Sequence, residues 1–416
     1  MASKDAAKKI RSAQRLSPVH PRAAGIDIGS RFHVVAVPPD LTEEPIQTFD
    51  SFTGDLNRLA DWLVAVGGTT VAMESTGIYW IPVFEILTAR DLEVLLVNAR
   101  QVKQVPGRKT DVNDAQWLQQ LHHYGLLRGS FQPAQEVAAL RAYLRHRERL
   151  VDYAAAHIQH MQKALMQMNL QVHHVLSDIT GATGMAIVRA IVAGTHDPAQ
   201  LAQLRDKRCK ASVETVEAAL TGHYLPEHLF ALRQALALYD TYQAQVAECD
   251  QAIEAALARL EPDDPISPDA LPKARYRTRQ ANEPRFNVRV ALFKVLGLDL
   301  TQVHGFGPHT VLRMIGECGT DMSRWPTAKH FTSWLTLCPG NKISGGKMLS
   351  SKSRRSSNRA ATILRLAAVN VGKTQTALGA FYRRLAARVG SKEQKAHLRA
   401  ELKRQNIPTG PKSKRR

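Results

Sequence analysis

Cysteine is scarce in this chain, and its four copies lie far apart in the sequence. They are Cys209, Cys249, Cys318 and Cys338. Because no Cys-x-x-Cys pair occurs, the sequence predicts neither a zinc module nor a disulfide framework. Thiols that stay free suit a reducing compartment, so we expect a cytoplasmic protein.

Long apolar runs are also absent, and a membrane span needs roughly 20 mostly apolar residues. The N-terminal stretch "MASKDAAKKIRSAQRLSPVHPR" is basic but lacks the apolar segment of a secretory signal. We therefore expect no membrane partner. We interpret residues 1–21 as a basic arm that is either simply disordered or contacts nucleic acid.

Acidic residues are nearly missing from the last part of the chain. Residues 341–416 hold twenty lysines and arginines against two acids, and this accounts for almost all of the net charge of +19. Such asymmetry favours a polyanionic partner, nucleic acid before membrane. A merely solvated tail is the alternative. Against it, "NRAATILRLAAVNVGKTQTALGAFYRRLAARV" has apolar residues at helical spacing, which predicts a folded basic region ending in a disordered tail at 405–416.

Strand-like and helix-like patterns alternate over residues 22–130. "AAGIDIGS" and "RFHVVAVP" predict a hairpin with a short Gly-Ser turn, and "IQTFDSF" predicts a third strand. The segments that follow are "DLNRLADWLVAV" (helix), "TTVAMEST" (strand), "IYWIPVFEILTAR" (helix), "LEVLLVN" (strand) and "DVNDAQWLQQLHHYGLL" (helix). The order β-β-β-α-β-α-β-α predicts an α/β sheet and is typical of an RNase H-like domain.

Residues 133–260 show two long heptad patterns, which predict a helical coiled-coil region. The apolar positions are Val137, Leu140, Leu144, Val151, Ala154, Ile158, Met161, Leu165 and Met168, then Leu232, Leu236, Tyr239, Val246, Ile253, Leu257 and Leu260. Polar residues interrupt them at Arg147, Gln243 and Asp250. Two readings stay open: an antiparallel hairpin within one chain, or dimerisation between chains. A charged linker or insertion at 261–289 and a mostly helical domain at 290–404 complete the chain.

Four carboxylates stand where the pattern places strand ends and a helix start. Asp27 lies in "GIDIGS", Glu74 in "VAMESTG", and Asp111 and Asp114 lie in "GRKTDVNDAQWL". Each acid alone is more readily a turn or helix-start residue. Together, on neighbouring strands and one helix face, they predict an oxygen-only site for Mg²⁺ or Mn²⁺. A pair of such ions would clamp a scissile phosphate.

The C-terminal domain carries two further motifs. "VHGFGPHTVLRMIGECG" places Gly305 and Gly307 before a helix whose free amides would meet a phosphate, although simple loop geometry explains it equally well. Ser344 precedes a Gly-Gly pair and is followed by cations. The candidate nucleic-acid-binding cations are Lys347, Lys352, Arg354, Arg355 and Arg359. Local sequence by itself favours a flexible loop there.

Several segments resemble a known family. "GIDIGSRFHVVAV", "MESTGIYWIPVFEIL" and "VNARQVKQVPGRKTDVNDAQWLQQL" are similar to the RuvC-like DEDD domain of the one-ten family of bacterial insertion-sequence transposases, relatives of the Piv invertase. "HGFGPHT", "FTSWLTLCPG" and "ISGGK" resemble the family's C-terminal transposase domain. The resemblance implies that Asp27, Glu74, Asp111 and Asp114 bind metal and that Ser344 is the nucleophile.

The same resemblance implies the rest of the reaction. Ser344 would form a covalent phosphoserine link to DNA while strands are exchanged, in an active site composed from both domains. A structured guide (bridge) RNA would pair with donor and target DNA. We accordingly expect a homodimer, and a dimer of dimers at synapsis, in a nucleoid-associated bacterial protein. Ser350, Ser351 and Ser353 remain alternative nucleophiles.

Two other functions compete with this one. A metal-only RNase H-like nuclease, such as a Holliday-junction resolvase, would use Ser344 only to bind phosphate. A non-catalytic nucleic-acid-binding scaffold would use its acids only to stabilise the fold. A covalent protein–DNA intermediate separates the recombinase from the nuclease, and metal dependence separates both from the scaffold.

Overall fold

The computed structural model describes residues 17–75, 77–98, 114–264, 266–275, 282–353 and 356–389. Most of the predicted arm, the basic tail, Asp111, Arg354 and Arg355 lie outside these residues. The chain divides into two compact units between Gln132 and Pro133. The first is a mixed α/β unit and the second is mostly helical, as the sequence predicts.

A five-stranded sheet forms the centre of the first unit. Its strands are β1 (Ala23–Ile28), β2 (Phe32–Ala36), β3 (Ile46–Asp50), β4 (Thr70–Glu74) and β5 (Glu93–Val97). The spatial order is β3-β2-β1-β4-β5. The β1–β2 and β2–β3 pairs are antiparallel, whereas β1–β4 and β4–β5 are parallel. The predicted β1–β2 hairpin and the predicted order of the strands along the sequence are therefore confirmed.

Helices cover both faces of this sheet. They are α1 (Thr53–Ala65), α2 (Trp80–Thr88) and α3 (Asp114–His123). Ile26 and Met73 share a buried cluster with Leu59 of α1 and Leu87 of α2. On the other face, Leu118 and Leu121 of α3 pack with Val97. Burial on both faces explains why the parallel strands read as continuous apolar runs.

Two helices of 33 residues dominate the second unit, α4 (Gln135–Gln167) and α9 (Pro226–Ala258). Leu140 packs near Ile253 and Leu257, whereas Leu165 packs near Leu232 and Leu236. The contacts run in opposite directions along the two helices, so they form an antiparallel pair within one chain. Dimerisation through this region stays a prediction.

The polar interruptions of the two heptad patterns meet each other in this pair. Nε of Arg147 lies 2.5 Å from Oδ1 of Asp250, and both side chains are at least 95% buried. Arg147 also donates to the Asn282 carbonyl at 2.9 Å, and the Arg285 amide donates to Asp250 at 3.0 Å. This buried ion pair thus joins α4, α9 and the last part of the charged insertion at 261–289.

Shorter elements complete the second unit. Between α4 and α9 lie α5 (Val172–Val175), α6 (Ala182–Val192), α7 (Pro198–Ala202) and α8 (Val213–Leu220). After α9 come α10 (Val288–Leu296), α11 (Pro308–Cys318), α12 (Ala328–Trp334), β6 (Lys342–Ser344), β7 (Lys347–Ser350), α13 (Arg359–Gly372) and α14 (Ala377–Val389), with 3-10 turns at Pro268–Ala270 and Leu300–Gln302. The described part of the charged insertion is hydrogen-bonded to the second of these turns, since Gln302 donates to the Lys273 carbonyl at 3.1 Å.

Candidate active site and nucleic-acid interface

Asp27 and Glu74 are neighbours across two parallel strands. The register pairs Ile26 of β1 with Met73 of β4, and Asp27 and Glu74 are the next residue on each strand. Adjacent strands lie about 4.8 Å apart, and residues opposite each other point to the same face. Since Ile26 and Met73 face α1 and α2, the two half-buried carboxylates face the side that α3 covers.

α3 approaches this face unusually closely at Gly25. A Cβ atom on Gly25 would lie 2.4 Å from the carbonyl oxygen of Ala115 and 2.4 Å from the amide nitrogen of Gln119. Gly25 and Asp27 point to the same side of β1 because side chains alternate along a strand. The glycine therefore lets the start of α3 lie beside the position from which Asp27 projects.

The direction of α3 brings Asp114 to the same end of the sheet. Gln119 donates to the carbonyl of Ala23, at the start of β1, at 3.3 Å. Further along α3, Nε2 of His122 lies 2.9 Å from Oγ1 of Thr70, at the start of β4. α3 thus begins near the carboxyl ends of these strands, where Asp27 and Glu74 lie, and its first residue is the exposed Asp114.

Three of the four predicted acids thus lie towards the carboxyl-terminal ends of the parallel strands β1 and β4. The fourth, Asp111, lies outside the described residues. Among the residues that the structure describes, no group of three or more His, Cys, Asp or Glu side chains is close enough to hold a metal ion. The donor set nevertheless suits Mg²⁺ or Mn²⁺ chemically, because carboxylate oxygens are its only members.

Sequence reasoning missed the residues that hold α3 in place. His122 is buried, stacks on His20 with ring centroids 4.7 Å apart, and bonds Thr70. Burial and then the neighbouring His20 lower the pKa of His122 to about 4, so it is neutral near pH 7. A signal was available for Gly25, because a glycine inside a strand often marks the close approach of another backbone.

Ser344 ends β6, at the tip of a two-stranded hairpin. The two turn residues, Gly345 and Gly346, have φ angles of 54° and 77°, as a type I′ turn requires. Nothing lies within 4 Å of a Cβ built on either glycine, so positive φ and not close packing is the reason for them. Ser344 pairs across the turn with Lys347, and both are exposed. An ordered hairpin thus replaces the flexible loop that local sequence favours.

The other candidate serines lie away from the turn. Ser350 is half-buried and pairs with Lys342 at the open end of the hairpin. Ser353 forms an isolated bridge with Pro339. Ser344 is therefore the serine closest to the tip.

Two family models match the chain, one towards each end. The family model of the IS110 DEDD transposase domain, described as "Transposase", matches residues 24–170. A second family model, described as "Transposase IS116/IS110/IS902 family", matches residues 298–383. The chain is an IS110-family transposase. No curated protein matches it. As a transposase it binds DNA and cuts and rejoins it, and DEDD transposase domains typically use divalent metal ions.

The cations that the sequence assigns to nucleic acid differ in their surroundings in the transposase. Lys347 and Lys352 are exposed on the Ser344 hairpin and just after it. Arg359, at the start of α13, donates instead to Glu148 of α4 at 2.7 Å, so part of its charge is balanced within the protein. Arg354 and Arg355 lie outside the described residues.

The Gly-x-Gly turn of the transposase enters a helix, as the sequence predicts. Gly307 is the N-cap of α11, with Pro308 at its first position. Gly305 has a φ of 88°, and a Cβ there would lie 2.7 Å from the Ala367 carbonyl of α13. Close packing accounts for Gly305, and phosphate binding by this turn stays a prediction. Within the described residues, the transposase has no helix long and apolar enough to span a membrane.

Proposed function

We propose that this transposase is an RNA-guided serine recombinase of an insertion sequence. Ser344 attacks a DNA phosphate, and the four acids Asp27, Glu74, Asp111 and Asp114 hold the divalent metal. The observation that carries the proposal is the position of Ser344, which is exposed beside a two-residue hairpin turn with Lys347 across from it.

The geometry of the hairpin suits attack on a phosphate. A two-residue type I′ turn holds its flanking residues about 5.5 Å apart at their Cα atoms, so Ser344 and Lys347 share one face of the hairpin. Ser344 Oγ forms the bond to phosphorus, the bond from phosphorus to the leaving deoxyribose oxygen breaks, and that oxygen is protonated while the serine proton goes to solvent. Lys347 holds the phosphate by charge and hydrogen bonding.

The reverse step restores the enzyme. A hydroxyl of the incoming DNA strand attacks the phosphoserine, and Ser344 leaves as the free side chain. Because energy is conserved in the phosphoserine bond, strand exchange needs no nucleotide cofactor. A serine needs activation to act as a nucleophile. No histidine stands next to Ser344 in the sequence to supply that activation.

Asp27, Glu74, Asp111 and Asp114 would hold Mg²⁺ or Mn²⁺, which would supply positive charge to a DNA phosphate. Two features favour a metal role for these acids over a purely structural one. Three of them lie towards the same end of the parallel strands, and Gly25 lacks the side chain that would keep α3 away. Catalytic sites of this kind need carboxylates on rigid elements.

Guidance by RNA is what the family resemblance implies, and the charge distribution is compatible with it. The basic C-terminal region would bind RNA and DNA backbones. Because backbone contacts carry no sequence information, base pairing would supply the specificity. A homodimer, assembling into a dimer of dimers when two duplexes are joined, belongs to the proposal because strand exchange requires a nucleophile for each strand that is cut.

A metal-only nuclease is the second candidate. It is favoured by the fact that Asp27, Glu74 and Asp114 all belong to the first unit, so the whole described part of the acidic set is supplied by one compact unit. That function leaves no protein joined to DNA. The two candidates therefore differ in one observable, the covalent adduct.

The deciding experiment traps that adduct. The full-length transposase is incubated with end-labelled element DNA, target DNA, the RNA transcribed beside its gene and Mg²⁺, and then resolved on a denaturing gel. We expect a labelled adduct in wild type, none with Ser344→Ala, and none with Asp27→Asn. Ser350→Ala and Ser353→Ala are the matched controls and should retain it.

Each outcome has a definite meaning. Loss of the adduct only with Ser344→Ala among the serine variants supports the serine recombinase. Strand cleavage by Ser344→Ala at the wild-type rate, without an adduct in any lane, would establish the metal-only nuclease. An adduct that persists in Ser344→Ala and disappears in Ser350→Ala would move the nucleophile to that residue.

A further inference from the structure

The Ser344 hairpin exposes an unusual amount of apolar side chain. Ile343, Met348 and Leu349 are 63%, 59% and 68% exposed. The register pairs Lys342 with Ser350 and Ile343 with Met348, so Leu349 is the extra residue of a bulge. Bulges are common beside active sites, where they redirect side chains. Clustered exposed apolar residues mark an interaction surface more often than scattered ones do.

The apolar residues occupy the face opposite the serine. Ser344 and Lys347 form the pair next to the turn, and Ile343 and Met348 form the following pair. Because successive residues of a strand point to opposite faces, Ser344 and Lys347 share one face while Ile343 and Met348 share the other. A single narrow hairpin therefore carries a polar face and an apolar face.

The stretch of sequence that contains this hairpin is strongly cationic. From Met322 to Lys392 the sequence contains no Asp or Glu, although it contains fourteen Lys and Arg. Lys342 and Lys352, which precede and follow the apolar residues in the sequence, are exposed. A surface of this kind complements a polyanion that has an apolar interior. DNA has that composition, because its charged backbone encloses stacked bases.

We propose that Ile343 and Met348 insert as a wedge at the base step beside the phosphate that Ser344 attacks, and partly unstack it. Apolar side chains, Ile and Met among them, are used by DNA-bending proteins to open base steps. Because both faces belong to one narrow two-stranded hairpin, its polar face can contact a phosphate while its apolar face contacts the neighbouring bases. This inference rests on the proposed serine chemistry.

The test compares paired with mismatched DNA. The full-length transposase, with Mg²⁺ and the RNA transcribed beside its gene, is given either the fully paired element-end duplex or the same duplex with two mismatched pairs at the cleaved step. The variants are Ile343→Thr/Met348→Thr, which keeps β propensity, and Ile343→Leu/Met348→Leu, which keeps the apolar wedge. Leu238→Thr, at an exposed leucine of α9, is the control.

We expect the threonine variant to form the adduct about tenfold more slowly on paired DNA, or slower still, because unstacking a step is costly. Mismatches should return its rate close to that of wild type, since the step is then already open. The leucine variant and Leu238→Thr should match wild type on both duplexes. Rescue by mismatched DNA cannot come from a variant that has merely failed to fold.

Two results would overturn the wedge while leaving the serine chemistry intact. One is a threonine variant that is equally slow on paired and mismatched DNA, which would assign the apolar face to a protein contact. The other is a threonine variant as fast as wild type on paired DNA. If wild type forms no Ser344 adduct on either duplex, the proposed function fails first and the wedge fails with it.

Discussion

Gly25→Ala tests whether the placement of α3 is required for activity. The new Cβ would lie 2.4 Å from backbone atoms of Ala115 and Gln119, whereas ordinary van der Waals contact begins at 3.4 Å. Both neighbours are helix backbone and cannot rotate away. α3 must therefore move outward by about 1 Å, a displacement that can cost about 100-fold in rate at a catalytic site.

The stability cost should be smaller than the loss of activity. Overpacking of this kind costs about 1–3 kcal/mol, which a unit of this size tolerates. We therefore expect a folded protein, with a lowered melting temperature, whose rate of DNA cleavage falls about 100-fold because Asp114 moves away from Asp27 and Glu74. Cleavage of labelled element DNA at saturating Mg²⁺ and circular dichroism melting measure the two effects.

A matched glycine supplies the control. Nothing lies within 4 Å of a Cβ built on Gly54, in the first turn of α1, so Gly54→Ala should leave cleavage unchanged and the helix slightly more stable. If Gly25→Ala cleaves at the wild-type rate, the reasoning that links α3 to the acidic site is wrong. Equal losses of cleavage in both variants would contradict it as well.

The remaining predictions concern stability. Arg147→Met should lower the free energy of unfolding in urea by about 3–5 kcal/mol because it leaves Asp250 charged and buried. Arg147→Met combined with Asp250→Leu should lose clearly less, because no buried charge remains and only the Asn282 carbonyl and the Arg285 amide lose their partners; equal losses in both variants would contradict the ion-pair argument. His122 is neutral when folded until about pH 4, while unfolded histidine binds its proton near pH 6.5, so the free energy of unfolding should fall as the pH drops from 6.5 to 4. His122→Gln should flatten that part of the pH–stability curve, and an unchanged slope would refute the assignment.

Local patterns were sufficient for most of the elements. Alternation and helical spacing predict the strands and helices of the first unit in their correct order, because these periods depend only on which face each residue buries. The heptads likewise predict α4 and α9. They left the partner open, since a heptad seam is the same whether it meets its own chain or a second copy.

Long-range contacts decided what the patterns left open. In the sequence, Arg147 and Asp250 are polar residues at apolar positions of two separate heptad patterns. Only the antiparallel pairing of α4 with α9 makes them one ion pair. Ser344 belongs to a loop-like stretch rich in serine and glycine, yet cross-strand pairing turns it into the tip of a hairpin. Neither partner can be read from neighbours in sequence.

The sequence by itself determined the order of elements, the candidate acids and the basic charge of the C-terminal region, because each is a property of residue type and short-range spacing. Tertiary structure decided that α3 runs antiparallel to β1 and β4. Its first residue, Asp114, therefore lies towards the strand ends that carry Asp27 and Glu74. The close approach of α3 to β1 depends on the absence of a side chain at Gly25. The physical reason is that helix direction against a sheet is set by contacts between residues far apart in the sequence, here 96 and 52 positions.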